Sequence, residues 1–120
     1  MIRTALPLTR MARLTFWAAA LVVLYFALAP VPEREPLTGW DKANHVVAFG
    51  GLAVLGLLGW APRERLVLVG LIGYGVSIEV LQLATVDHHF DLHDLAADAV
   101  GLAVGWCVWR AGRLAAARLR

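Results

Sequence analysis

Long apolar runs alternate with short polar connections along this chain and predict four helices. A transmembrane helix needs roughly 20 mostly apolar residues, within a range of about 17–25, and each run meets or approaches that length. The runs cover Leu14 to Ala29, Ala43 to Trp60, Leu66 to Ala84 and Leu92 to Trp109. Because the connections are short, neighbouring helices should be antiparallel. The pattern therefore predicts an all-α, four-helix transmembrane bundle.

The composition supports a membrane protein. The 120 residues are 60% hydrophobic and 17% charged, whereas soluble domains are typically about 45–50% apolar and about 25% charged. The net charge of +2 could indicate nucleic acid, but the basic residues form no aromatic-interleaved basic face, so no nucleic-acid partner is expected. The single cysteine, Cys107, cannot form an intrachain disulfide.

The basic residues predict the orientation of the helices. One side would carry Arg3, Arg10, Arg13, Arg63, Arg65, Arg110, Arg113, Arg118 and Arg120. The other side would carry only Arg34 and Lys42. The positive-inside rule then places both termini and the Arg63 connection in the cytoplasm. The predicted organisation is a basic arm at 1–13, a four-span membrane domain at 14–109 and a basic tail at 110–120.

The first run also has features of a signal peptide. Basic residues precede it, and Ala27-Leu28-Ala29 has the small-x-small pattern of a cleavage site. Pro30 would follow the cut, which is unfavourable for cleavage, so the first run is interpreted as a retained span.

Polar side chains collect at three helix ends that an antiparallel bundle would bring to one level, the outer one. Helical spacing places the members from each run on one face. They are Asp41, Lys42 and His45 on the second run, Glu79 and Gln82 on the third, and Asp94 and Asp98 on the fourth. We expect Lys42 to pair with Glu79 or Asp98, with Asp41 and Asp94 as alternatives nearer the rim. His45 would then bond whichever carboxylate Lys42 leaves free.

Glycines continue these polar faces toward the other end of the helices. Gly75 lies on the stripe of Glu79, and Gly101 and Gly105 lie on the stripe of Asp98. Small residues four apart allow membrane helices to approach closely. These three glycines are therefore predicted to be helix-packing positions.

Three short motifs, in order on consecutive spans, resemble those of the VanZ-like family of small bacterial membrane proteins. The first is D-K-x-x-H at Asp41, Lys42 and His45, and the second is E-x-x-Q at Glu79 and Gln82. The third is D-x-x-x-[N/D]-x-x-G at Asp94, Asp98 and Gly101. The family pattern has Arg at the position of His88 and usually Asn at that of Asp98, so the site here should be more acidic.

The resemblance implies a multi-pass protein of the bacterial inner (cytoplasmic) membrane. Its founding member is associated with resistance to teicoplanin, a lipoglycopeptide that acts at the outer face of the membrane. The expected function is that of a cell-envelope membrane protein whose outward polar pocket binds a lipid headgroup, an envelope precursor or a partner protein. The lipid bilayer is the expected general partner, and no cofactor is expected.

Three alternatives remain open on the residues alone. The polar groups could only hold the helices in register, since polar contacts between membrane helices contribute about 0.6 kcal/mol on average. The second alternative is a small metal-assisted hydrolase or transferase, since His89 and His93 are spaced to share a metal ion if their segment is helical. A proton-coupled carrier is the third, but the cytoplasmic halves of the runs lack a polar path.

Overall fold

The computed structural model describes residues 2–29, 41–85 and 90–120, and these residues form helices without any strand. The elements are α1 (Ile2–Leu28), α2 (Asp41–Gly59), a short 3-10 helix (Ala61–Arg63), α3 (Glu64–Gln82) and α4 (Leu92–Arg118). The prediction of an all-helical chain with four long helices is confirmed for the described residues.

Two of the helices are longer than the apolar runs that predicted them. α1 begins at Ile2 rather than Leu14, and α4 continues to Arg118 rather than ending at Trp109. The prediction was based on hydropathy, which reports burial in lipid and not helicity. Alanine, leucine and arginine, which dominate the end of α4, are strong helix formers even without an apolar environment.

Two helices are long and apolar enough to cross a membrane by length and composition. The qualifying segments among the described residues are Pro7–Leu28 of α1 and Lys42–Gly59 of α2, with mean hydropathies of 1.8 and 1.3. α2 and α3 have 19 residues each, which corresponds to about 28 Å at 1.5 Å per residue. That length matches the roughly 30 Å hydrocarbon core of a bilayer.

α2 lies at the centre of the fold and packs most extensively against α4, then against α1. The residues of the buried apolar core come from all four helices: Ala20, Phe49, Leu52, Ala53, Leu71, Ile78 and Leu102. The outer surfaces are also apolar, and large side chains such as Leu21, Val69 and Val100 are more than half exposed. The helices are thus apolar on both their inward and outward faces.

Glycines allow the backbones of α2 and α4 to touch. A Cβ atom on Gly101 would lie 2.6 Å from the carbonyl oxygen of Val46, and one on Gly105 would lie 2.5 Å from that of Gly50. Both distances are far shorter than a real Cβ contact. The two helices therefore approach more closely than any side chain at these positions would permit.

Candidate functional site

Asp91 joins three helices at the end of the bundle where α2 and α4 begin and α3 ends. Its side chain caps α4 by accepting a 2.8 Å hydrogen bond from the backbone N–H of His93. Its Oδ2 accepts a 2.9 Å bond from Nζ of Lys42 on α2. Its own backbone N–H donates to Oε2 of Glu79 on α3, at 3.0 Å. One residue thus fixes the relative positions of α2, α3 and α4.

Lys42 forms ion pairs with two carboxylates at the start of α4. Besides Asp91, its ammonium donates to Oδ1 of Asp94. Acidic side chains in the first turn of a helix are favoured by the positive end of the helix dipole. The start of α4 therefore concentrates negative charge where the start of α2 supplies an ammonium.

His45, one turn further along α2, pairs with Asp98, one turn further along α4. Its Nδ1 lies 2.7 Å from Oδ1 of Asp98, and its Nε2 lies 3.6 Å from Oδ2 of Asp94. The side chain of Asp98 is almost fully buried. His45 lies three residues after Lys42 on α2, and Asp98 lies four residues after Asp94 on α4. Helical spacing thus produces two levels of pairing, with Lys42 nearer the helix starts and His45 one turn deeper.

Glu79 is the innermost carboxylate of this group. It is 0% exposed. Its Oε2 accepts from the N–H of Asp91, but its Oε1 has no hydrogen-bond partner among the described residues. Leaving a buried polar group unpaired costs about 1–3 kcal/mol, and more for a charged group. Oε1 is therefore the one position in the site where a missing donor is expected.

We call Lys42, His45, Glu79, Asp91, Asp94 and Asp98 the polar cluster. Its four carboxyl groups outnumber the one ammonium and one imidazole that face them, so the cluster has an excess of negative charge. Exposure decreases from 29% for the side chains of Lys42 and Asp91 to 0% for Glu79. The polar cluster is thus an acidic group of side chains that is partly exposed at Lys42 and Asp91 and fully buried at Glu79.

The neighbouring predicted residues support the cluster in different ways. Gln82, one turn after Glu79, donates from Nε2 to the carbonyl oxygen of Ala27 at 2.9 Å, which ties α3 to the end of α1. A Cβ on Gly75 would lie 2.9 Å from Oδ2 of Asp98, so Gly75 provides the space that the carboxylate occupies. Gln82 is therefore a link to α1, and Gly75 is a packing position.

One of the expected partners of Lys42 is observed, together with one that was not expected. Sequence analysis favoured Glu79 or Asp98, with Asp41 and Asp94 as rim alternatives, and the ammonium pairs with Asp94 and with Asp91. The side chain of Asp41 lies outside the described part of the chain. Glu79 and Asp98 lie deeper along their helices than the ammonium, which sits at the first turn of α2. The expectation that His45 bonds a carboxylate left free by Lys42 agrees with its pairing with Asp98.

Asp91 was missed as a cluster residue, although the sequence contained a signal for it. Asp91-Leu92-His93-Asp94 places an N-capping residue three positions before an acidic residue, ahead of an apolar helix, which is a typical helix start. The capping position would have put the Asp91 side chain at the same level as Lys42.

Strong hydrogen bonds to Asp91 lower its pKa from an ordinary 3.8 to about 2. The largest cause is the hydrogen bond from Lys42, followed by the bond from the backbone N–H of His93. The Asp91 carboxylate is therefore charged throughout the physiological pH range.

Of the two metal candidates, His93 alone lies among the described residues. His93 is 88% exposed on its side chain, and its Nδ1 lies 3.2 Å from Asp91. His89 falls outside the described residues. Among the described residues, no group of three or more His, Cys, Asp or Glu side chains has an arrangement that could hold a metal ion.

A comparison with protein families gives one match that covers most of the chain. The family model described as VanZ/LLP1 matches residues 6–115, a range that contains the whole polar cluster and the glycines that pack α2 against α4. No curated protein and no solved structure matches the chain. The chain belongs to the VanZ-like family.

Proposed function

We propose that this chain is a multi-pass protein of the bacterial inner membrane and that its polar cluster binds an amine-bearing headgroup at the outer face. Four spans, with both ends of the chain and the Arg63 connection in the cytoplasm, would put the cluster at the outer level. The distribution of basic residues supports this orientation. The headgroup would belong to a membrane lipid or to a lipid-linked envelope precursor.

The distribution of apolar and charged side chains supports the membrane placement. Glu79, Gln82 and Asp98 are buried, while large apolar side chains on every long helix are exposed. Soluble domains bury charged residues only rarely and do not expose contiguous apolar surface on this scale. In a bilayer, buried carboxylates that face the bundle interior and outward-facing leucines and valines are the expected arrangement.

The unpartnered Oε1 of Glu79 is the observation that carries the binding proposal. A carboxylate oxygen accepts hydrogen bonds, so the missing partner is a donor. The excess of carboxyl groups in the polar cluster favours a cationic donor over an anionic one. A primary ammonium meets both requirements because it has three N–H donors and one positive charge.

The described contacts give no support to the metal-assisted hydrolase or transferase. The His93 side chain is 88% exposed, and Asp91 is its ring partner among the described residues. The alternative that the polar cluster only holds the helices in register also agrees with these contacts, because Asp91 joins three helices whether or not a ligand binds. Ligand binding and register holding make different predictions for Oε1 of Glu79, because this atom contributes nothing to joining the described helices.

The substitution Glu79→Gln separates ligand binding from helix joining. A glutamine keeps one oxygen to accept from the N–H of Asp91 and replaces the unpartnered oxygen with an NH₂ donor. We expect the variant to fold and to lose the amine-bearing lipids or precursors that copurify with the wild type. The measurement is mass spectrometry of lipids extracted from the purified proteins.

Glu64→Gln is the matched control, since Glu64 lies at the opposite end of α3 and contacts Trp106 and Arg110. This variant should keep the wild-type lipid profile. Equal retention of amine-bearing lipids by wild type and Glu79→Gln would show that the cluster only holds the helices in register.

A further inference from the structure

A second feature is an apolar groove that runs between α1 and α3, starting from the end of the bundle opposite the polar cluster. Its volume is about 590 Å³. One wall comes from α1 and the other from α3, and Trp60 and Arg63 close one end. Among the lining residues are Phe16, Trp17, Trp60, Leu66, Val67 and Leu71. The groove shares no lining residue with the polar cluster.

Glycines on α3 keep the groove open. Gly70 and Gly73 both line it, and a Cβ atom on either would meet nothing within 4 Å. They differ in this respect from Gly101 and Gly105, which bring two helices into contact. The two α3 glycines therefore leave volume that no described part of the chain fills.

The polar groups along the groove wall are already bonded within the protein. The Tyr74 hydroxyl donates to the carbonyl oxygen of Ala20 on α1. The Ser77 hydroxyl donates to the carbonyl oxygen of Gly73, at 2.7 Å. These two hydroxyls are thus satisfied within the protein, and the part of the wall that they form suits a hydrocarbon chain.

Arg63 gives one end of the groove a positive charge. Of the described residues that line the groove, Arg63 alone is charged, and its guanidinium has no ion-pair partner among the described residues. Three aromatic rings that line the same groove contact one another edge to face. The ring centroids are 5.3 Å apart for Phe16 and Trp60 and 6.2 Å apart for Trp17 and Trp60. Tryptophans at this position are typical of the membrane interface.

We infer that this groove binds one acyl chain of an anionic phospholipid of the inner leaflet, with the lipid phosphate at Arg63. Guanidinium groups bind phosphate well because several N–H donors match its oxygens. The inference depends on the membrane orientation proposed above, which puts Arg63 at the cytoplasmic interface.

The groove is long enough to cross one leaflet. The span from Arg63 to Ser77, two lining residues near the ends of the groove, corresponds to about 21 Å at 1.5 Å per residue. The hydrocarbon region of one leaflet is about 15 Å thick, half of the roughly 30 Å core. A chain lying along the groove from the level of Arg63 would thus cross the inner leaflet and end just past the bilayer midplane.

Native mass spectrometry of the full chain in detergent tests the inference, with dioleoyl phosphatidylglycerol and dioleoyl phosphatidylcholine as probes. The wild type should bind phosphatidylglycerol about fivefold more tightly, the effect expected of one basic side chain near an anionic headgroup. Arg63→Gln should reduce the preference and keep residual binding of both lipids, since the Arg13 guanidinium, 5.3 Å from the centroid of the Trp60 ring, remains. Arg65→Gln, at an exposed arginine outside the groove, should keep the preference.

A second pair of variants tests the groove itself. Gly73→Leu should reduce the binding of both lipids, because its side chain fills the space. Gly51→Leu places the same side chain on an open face of α2, where a Cβ meets nothing within 4 Å, and should leave binding unchanged. Circular dichroism checks that each variant is folded.

Equal loss of preference in the two arginine variants, or equal lipid binding by the two leucine variants, would overturn the inference. A dimer that Gly73→Leu dissociates would also overturn it, since a second copy would then occupy the groove. A different experiment tests the membrane proposal. Release of the protein from cell membranes by alkaline carbonate without detergent would show that it is not an integral membrane protein.

Discussion

Asp91 has two roles that the structure combines in one side chain. Its carboxylate caps α4 through the N–H of His93 and pairs with the ammonium of Lys42. Asparagine caps a helix about as well as aspartate, but it carries no charge. Substitutions at this position can therefore separate capping from ion pairing.

We expect Asp91→Ala to lower the melting temperature of the detergent-solubilised protein more than Asp91→Asn does. Alanine removes both the cap and the ion pair, whereas asparagine removes the charge alone. Thermal unfolding followed by circular dichroism measures the difference. Equal melting temperatures for the two variants would mean that the cap contributes nothing to stability.

The low pKa of Asp91 also predicts a pH dependence. The pKa is about 2 in the folded protein and 3.8 ordinarily, so the unfolded chain binds the proton more readily. The stability that this group adds is present above about pH 4 and is lost as the pH falls toward about 2. The gap in melting temperature between wild type and Asp91→Asn should therefore shrink on acidification. A gap that is constant or widens between about pH 6 and pH 2.5 would contradict the assignment.

At the scale of helices, the contact between α2 and α4 holds the fold together and positions the polar cluster. The two ion pairs, Lys42 with Asp94 and His45 with Asp98, lie on these helices. They can form only because Gly101 lets the backbones meet just below them. Glycine at this position is thus a requirement of packing and, through packing, of the site.

Gly101→Ala should destabilise the protein by about 1–3 kcal/mol, the usual cost of overpacking. The added Cβ would collide with the backbone of α2 at Val46, which cannot move aside as a flexible side chain could. Reversible unfolding in mixed micelles measures the change.

Gly51→Ala is the control for this prediction. Its Cβ would meet nothing within 4 Å, so the helix should gain stability, by about 0.5–1 kcal/mol. A loss of stability at position 51 equal to that at position 101 would show that glycine matters for a reason other than helix contact.

At the scale of the whole molecule, charge is segregated to the two ends. The polar cluster occupies one end, and the Arg63 connection with its tryptophans occupies the other. α3 joins these two ends and has 19 residues, about 28 Å, which is close to the roughly 30 Å hydrocarbon core of a bilayer. Both ends can therefore reach the headgroup level.

The proposed orientation predicts which positions an impermeant thiol reagent reaches in intact cells. In a Cys107→Ser background, Phe90→Cys should be labelled from outside, because it precedes α4 at the polar end. Arg65→Cys and Leu119→Cys should be labelled only after the cells are opened. Labelling of Arg65→Cys and protection of Phe90→Cys in intact cells would show the opposite orientation.

The sequence predicted the helices and most of the cluster because both depend on periodicity. Lys42 and His45 are three residues apart on α2, and Asp94 and Asp98 are four residues apart on α4. Their shared faces and common level follow from helical spacing and from the antiparallel order of consecutive helices. The carboxylates that pair with Lys42 could not be predicted in the same way, because they depend on how far α2 and α4 are shifted relative to each other along their axes. That offset is determined by the backbone contact at Gly101 and by the capping of α4 at Asp91, a residue just outside the predicted span.

Lipid binding at Glu79 is the sharpest test of whether the polar cluster takes an amine-bearing headgroup. In native mass spectrometry, the wild type should prefer phosphatidylethanolamine, whose ammonium has N–H donors, over phosphatidylcholine, whose quaternary ammonium has none. Glu79→Gln should lose this preference and remain folded, while Glu64→Gln should retain it. A preference that survives in Glu79→Gln, or one that is absent from the wild type, would contradict the account.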